Sequence, residues 1–325
     1  MKKIFITGGA GYVGSVLTPY LLNKGYEITS FDLMMYGETL KKNDKLKIIK
    51  GDIRNTEMLK EAIKDHEIVI HLACISNDPS FELNPKLGKE INLDSFKPLV
   101  EISKKAGIER FIYASSSSVY GVKKEKNVNE NMSLEPLTDY SKFKAYCEKI
   151  LLEFDDKNFI TTIIRPATVC GYSPRQRLDL VVNILTNLAY HNREITIFGG
   201  DQLRPNIHIQ DMVRAYELFI SADSQKINRK IFNIGFENLT VNQLAHKVQK
   251  VIGLDVKIKK LPSEDNRSYH ISSEKIKNEL GFFTKYNILN AVEDLKIAFE
   301  KKILINSLTN ENYFNIKKMQ SINLK

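Results

Sequence analysis

Cysteine is scarce in this chain. Cys74, Cys147 and Cys170 are the only three among 325 residues. They are scattered, odd in number and without metal-type pairing, which excludes a disulfide framework and points to free thiols in a reducing, cytoplasmic setting. Long apolar runs are also missing. Nothing approaches the ~20 consecutive residues that a membrane span requires. The opening Met1-Lys2-Lys3-Ile4-Phe5-Ile6 breaks off at Thr7-Gly8, too early for the apolar region and cleavage site of a signal peptide. No internal repeat and no low-complexity linker is present. Positive charge is in excess, at a formal +9. Its short clusters Lys41-Lys42, Lys104-Lys105 and Lys123-Lys124 carry no interleaved aromatics, so they read as solvated faces and not as a nucleic-acid stripe. An anionic small substrate would need only two or three well-placed arginines. The length suffices for one large domain or two smaller, closely packed ones.

Against these absences stands Thr7-Gly8-Gly9-Ala10-Gly11-Tyr12-Val13-Gly14, which follows the apolar run Ile4-Phe5-Ile6 and precedes a helical pattern. Gly9, Gly11 and Gly14 fit the dinucleotide fingerprint, and Gly8, Gly11 and Gly14 fit a variant with a glycine at every third position. Both meet one demand: bare backbone must approach a pyrophosphate at the positive end of a helix. Asp32 ends the next apolar run, where a carboxylate can accept both hydroxyls of the adenosine ribose. It would repel a 2′-phosphate, and Leu33-Met34-Met35 supplies no arginine to hold one. The expected cofactor is therefore NAD.

Apolar strands predicted at 3–7, 27–32, 46–50, 67–72, 109–114 and 159–164 alternate with helices near 13–24, 56–64, 85–106 and 139–155. This rhythm predicts an α/β fold: a Rossmann-type doubly wound parallel sheet with ligands beyond the strand C-termini. After Pro166 the rhythm breaks. Helices near 179–191, 210–222, 240–252 and 287–302, with strands at 195–198, 231–234 and 256–259, predict a smaller C-terminal α/β substrate lobe. The division expected is 1–170 for the NAD-binding domain (with later segments returning to it), 171–302 for the substrate lobe and 303–325 for an appended tail.

A second constellation is Tyr140-Ser141-Lys142-Phe143-Lys144, preceded by Ser115-Ser116-Ser117-Ser118-Val119-Tyr120-Gly121 at a strand end. Tyr140 and Lys144 lie one helical turn apart on one face. An ammonium near a phenol favours the phenolate and makes the tyrosine a usable base, while Ser116 can hydrogen-bond the reacting oxygen.

With these motifs in place, residues 1 to about 300 resemble the extended short-chain dehydrogenase/reductases, the NAD-dependent nucleotide-sugar epimerase/dehydratase family. The likeness includes Gly51-Asp52-Ile53-Arg54, His71-Leu72-Ala73-Cys74 with Asn92, Arg165-Pro166-Ala167-Thr168, the segment Gly200 to His208, and Asp265-Asn266-Arg267. It implies catalysis by Ser116, Tyr140 and Lys144. It implies NAD bound by Gly8, Gly11, Tyr12, Val13, Gly14, Asp32, Asp52, Ile53, Leu72, Ala73, Cys74, Asn92, Tyr140, Lys144 and Thr168. A nucleotide-diphosphate sugar would meet Ser76, Asn77, Ser116, Arg175, Asp179, Arg204 and Arg267, guanidinium forks being suited to phosphate oxygens. A homodimer built on the helices near 85–106 and 139–155 is also implied, with the apolar stripe Leu87, Ile91, Leu99 and Ile102 facing either the partner or the chain's own sheet.

Two departures bear on the reaction. The 4,6-dehydratases of the family carry Asp and Glu where this chain has Ser117 and Ser118. Asp179 stands where an Asn often touches substrate phosphate; Arg175 and Arg177 either compensate or only pair with Asp179. Ser76-Asn77-Asp78-Pro79 likewise reads equally as a substrate contact or a plain Asx-Pro turn. The expectation is a 4-epimerase acting through a transient 4-keto sugar, in surface-polysaccharide sugar synthesis. A net 4-dehydrogenase or 4-keto-reductase, and a non-catalytic NAD-sensing regulator, are the alternatives.

Overall fold

A computed structural model describes residues 2–154, 156–263 and 268–324. Seven parallel strands form the main sheet: β1 (Lys3–Thr7), β2 (Glu27–Asp32), β3 (Leu46–Lys50), β4 (Ile68–His71), β5 (Arg110–Ala114), β6 (Ile160–Pro166) and, much later in the chain, Lys230–Ile234. Their spatial order is β3-β2-β1-β4-β5-β6 with Lys230–Ile234 at the far edge. The chain leaves β1 in one direction and returns through β4 in the other, which opens a crevice above their C-terminal ends. β4 is buried along its whole length, as expected of a strand covered on both faces.

Lys230–Ile234 of the main sheet is β10, and the smaller lobe holds β7 (Thr168–Cys170), β8 (Glu194–Phe198), β9 (Leu203–His208), β11 (Glu237–Thr240) and β12 (Lys257–Leu261). β9 lies between β7, parallel to it, and β11, antiparallel to it; β8 and β12 form a parallel pair. The helices Val181–Asn192, Val241–Ile252 and Ile288–Glu300 close over them with Val182, Leu185, Leu244, Val248 and Val292 in a common core.

Three expectations need correction. The strand expected at 231–234 in the substrate lobe is instead the seventh strand of the main sheet, paired with β6. The single helix expected over 85–106 is broken into Pro85–Lys89, a wider turn at Glu90–Asp94, and Phe96–Lys105. Pro98 has no N–H to offer the carbonyl of Asp94, so the regular ladder cannot run through this point. The segment after 303 is no loose appendage. It carries the helix Asn315–Ser321, and Leu304, Ser307, Asn315 and Met319 are buried.

Leu87, Ile91, Leu99 and Ile102 are all buried within the chain's own core, packed with Phe81, Phe96 and Phe111. That stripe faces this fold and not a partner. Among the described residues no helix is long and apolar enough to cross a membrane.

Candidate active site

The crevice above β1 and β4 is a cavity of about 540 Å³. The glycine turn forms its floor. Gly8 takes a positive φ of 74°, and a Cβ there would stand 2.7 Å from the amide nitrogen of Ala73. A Cβ on Gly14, the first residue of the helix Gly14–Asn23, would stand 2.3 Å from the carbonyl oxygen of Gly8. These two glycines let strand, helix and neighbouring loop meet. Gly11 faces the cavity, and its Cβ would come no closer than 3.2 Å to its one neighbour, the carbonyl oxygen of Gly8. Val13 lines the same floor. Tyr12 lines the floor too, and its hydroxyl donates to the Gly171 carbonyl at 2.7 Å and accepts from Asn183 at 3.0 Å.

Asp32, at the end of β2, accepts the amides of Ala10 (3.0 Å) and Met34 (2.7 Å). Burial raises its pKa, opposed by those amides and by the charge of Arg175. Asp52 is gripped by Arg54 at 2.7 Å, and although burial works against ionisation, Arg54 holds its carboxyl below the usual range. Ile53, Leu72, Ala73, Cys74 and Thr168 line the cavity beside them. Asn92 is not among the lining residues. Its side chain accepts from the Ile75 amide at 2.8 Å and donates to the Ile75 carbonyl at 2.9 Å, so it fixes the loop after β4 from behind.

On the opposite wall Ser116 follows β5, and its Oγ accepts from the Ser118 amide and shares a hydrogen bond with the Ser118 hydroxyl. The helix Asp139–Glu153 begins with a capping box between Thr138 and Ser141, which sets Tyr140 and Lys144 against the strand end. Lys144 Nζ donates to the carbonyl of Ala114 at 2.7 Å and lies 5.9 Å from the centre of the Tyr140 ring. The ammonium thus lies near the Tyr140 ring while it bonds the strand end. Burial is the largest influence and raises the Tyr140 pKa, while Arg177 and a hydrogen bond from Ser116 oppose it.

Ser76, Asn77, Arg175, Arg177, Asp179 and Arg204 complete the walls. Asn77 takes a positive φ of 71°, and its side chain caps the next helix by accepting the Ser80 amide, so the Asx-Pro turn is real. It is Arg177 that pairs with Asp179, at 2.9 Å, while Arg175 stands apart. Arg204 extends past the Tyr269 ring, 5.9 Å from its centre. Arg267 lies outside the described residues.

Reading by motif missed Tyr36, Asn315, Met319 and Leu324, which also line the cavity. The last three are remote in sequence and carry no local signature, so only the folded chain brings them to the site. The histidines named by the motifs are structural. His71 bonds the Thr7 hydroxyl at 2.7 Å, and burial lowers its pKa to about 3. His208 stacks on Tyr286. Among the described residues no cluster of three metal-ligating side chains occurs.

Residues 4–235 match the model of the NAD dependent epimerase/dehydratase family. The chain belongs to that family, an extended short-chain dehydrogenase/reductase family whose cofactor is NAD. It is 26% identical over 314 residues to a UDP-glucose 4-epimerase of Lactobacillus helveticus, covering 89% of this chain and 94% of that one. It is 29% identical over 270 residues to the human dTDP-D-glucose 4,6-dehydratase, covering 77% and 73%. Among solved structures, the UDP-glucose 4-epimerase of Thermotoga maritima with UDP-glucose superposes with a TM-score of 0.84 at 26% identity, over 93% of this chain and 99% of the other. The cradle suits NAD on its own geometry as well: open backbone at Gly11, a helix N-terminus, and a carboxylate at the end of β2.

Proposed function

We propose that this protein is an NAD-dependent nucleotide-sugar 4-epimerase. The observation that carries the reading is that serines stand at both positions of the acid pair, while Asp78 and Asp179, which line the cavity, are already hydrogen-bonded. Ser117 is buried and Ser118 is bonded to Ser116, at the two positions where an acid pair would stand. Asp78 accepts from Thr138, and Asp179 accepts from Arg177 and from the Asn315 amide. Removing a C5 proton and protonating a departing hydroxide needs an acid and a base near neutrality, and serine hydroxyls are neither.

Oxidation and reduction at C4 need less. Tyr140 takes the proton of the C4 hydroxyl, Ser116 holds the oxygen as it becomes a carbonyl, and Lys144 braces the strand end beside them. Bound NAD supplies a hydride acceptor, with a positive ring that favours phenolate nearby. For a 4-epimerase the hydride would return to the other face of C4, and no NAD would be consumed. Arg204, which lines the cavity from β9, would meet the substrate diphosphate; Arg267, the second arginine expected there, lies outside the described residues.

The test is incubation with UDP-, GDP-, CDP- and dTDP-hexoses and catalytic NAD, following sugars by NMR and NADH by absorbance. A 4-epimer without NADH accumulation is the expected result. Steady NADH production, or NADH oxidation by a 4-keto sugar, would instead establish a net oxidoreductase. A 6-deoxy-4-keto product would overturn the argument from the missing acids, and silence with every sugar nucleotide would favour a regulator.

A further inference from the structure

Arg175 is 3% exposed, yet its Nε and Nη1 have no hydrogen-bond partner among the described residues. Burying unpaired guanidinium donors is costly unless an anion completes them. The surroundings say which end of the cavity that anion occupies. Arg175 belongs to the run 173–179, which is fastened to the glycine turn. Ser173 Oγ donates to the Tyr12 carbonyl at 2.7 Å, and the Arg175 amide donates to Ser15 Oγ at 3.2 Å. Ser15 sits in the first turn of the helix whose N-terminus lies beneath the cavity. The guanidinium lies 3.4 Å above the centre of the Tyr36 ring, just beyond β2, and its charge reaches Asp32. These are cofactor surroundings. Arg204 and Tyr269, by contrast, belong to the smaller lobe.

What holds Arg175 there comes from the far end of the chain. Asn315 Oδ1 accepts from Arg175 Nη2 and, at 3.0 Å, from the Tyr36 hydroxyl. Its Nδ2 donates to Ser76 Oγ at 3.0 Å, and its backbone amide donates to Asp179 at 3.1 Å. One asparagine thus ties together the loops after β2 and β4 and the run 173–179. Leu178 donates its amide to the Tyr313 carbonyl, and Met319 is buried against the core that includes Met35 and Ala73.

We propose that Arg175 binds the diphosphate of the dinucleotide cofactor, not that of the sugar nucleotide, and that the carboxy-terminal segment, through Asn315, is a built part of this cofactor site. The inference rests on the family's use of NAD and is independent of which reaction follows. Arg175 is a cofactor ligand; Asn315 is a positioning residue.

The test uses full-length protein stripped of nucleotide and titrated calorimetrically with NAD, ADP, adenosine and whichever of UDP, GDP, CDP or dTDP the protein binds. Arg175→Gln should weaken NAD and ADP about tenfold or more, a typical effect of losing a charged buried hydrogen bond. Adenosine, which has no phosphate, should bind within about twofold of wild type, and so should the nucleoside diphosphate of the substrate. Arg175→Lys should recover part of the loss. Asn315→Ala should reproduce the pattern more weakly and speed release of bound NAD in a chase experiment. If Arg175→Gln does not fold, Arg175→Lys and Asn315→Ala carry the same comparison. Equal losses for ADP and adenosine would reduce Arg175 to a structural role. A loss confined to the substrate nucleotide would assign it to the sugar nucleotide, and both outcomes overturn the proposal. None of these arms requires turnover, so a failed epimerase assay leaves them interpretable.

Discussion

Tyr140 illustrates how one side chain's chemistry depends on its neighbours. Burial raises its pKa, with Arg177 and Ser116 pulling the other way. Tyr140→Phe removes only the hydroxyl, so NAD should still bind while kcat falls at least about a thousandfold, near 4 kcal/mol of barrier. Steady-state kinetics beside NAD titration would check this, and a mutant retaining a tenth of wild-type kcat would show that another group is the base. His71 makes an opposite kind of statement, about stability alone. Its pKa is depressed to about 3 by burial beside Phe96, Phe111 and Tyr113. The neutral ring is favoured in the fold, so its contribution is intact above the unfolded value near ~6.5 and is lost as pH falls towards the folded one. Between pH 7 and pH 5 that loss should be about 2 kcal/mol. Urea midpoints of wild type and His71→Leu at the two pH values would measure it; parallel pH slopes in the two proteins would contradict the assignment.

At the scale of elements, the turn between β1 and its helix separates two uses of glycine. A methyl on Gly14 collides with backbone at Gly8 and Gly9, whereas a methyl on Gly11 meets only the Gly8 carbonyl, at 3.2 Å. Gly14→Ala should therefore lose stability, by about 1–3 kcal/mol, together with NAD affinity. Gly11→Ala should fold within about 1 kcal/mol of wild type and still lose NAD affinity, because its methyl projects where the pyrophosphate approaches. Thermal melts paired with NAD titration distinguish them, and the expectation fails if Gly11→Ala binds NAD normally. The amino-terminal strands and the helix carrying Tyr140 were legible because buried parallel strands are short apolar runs, and β3, a half-exposed edge strand, keeps Leu46, Ile48 and Ile49 between lysines, while capped helices have periodic faces. β7, β9 and β11 were missed. β9 reads Leu203-Arg204-Pro205-Asn206-Ile207-His208, with polar residues and a proline that periodicity does not count as strand, and pairing with β7 and β11 is what makes it one.

For the whole molecule the question is which lobe holds which ligand. Arg204 leaves β9 in the smaller lobe yet lines the common cavity. Arg204→Ala should raise KM for the sugar nucleotide about tenfold or more and leave NAD affinity unchanged, since Leu203 and Tyr269, which it contacts, lie away from the glycine turn. Isothermal titration with NAD beside substrate kinetics decides it. A mutant with normal KM and lowered melting temperature would make the arginine a structural residue.

The amino-acid sequence by itself pointed to the dinucleotide turn, the carboxylate after β2, the Ser116–Tyr140–Lys144 constellation and the places of the first six strands along the chain. All of these are local patterns, in which neighbouring residues meet one geometric demand together. Only tertiary structure decided that Lys230–Ile234 closes the main sheet, that Asn92 works from behind the cavity, that Arg177 and not Arg175 takes Asp179, and that Asn315 reaches Ser76 and Tyr36. These contacts join residues as much as 279 positions apart. A pairing of that span leaves no periodicity or spacing in the chain, because its partners become neighbours only once the core between them has packed.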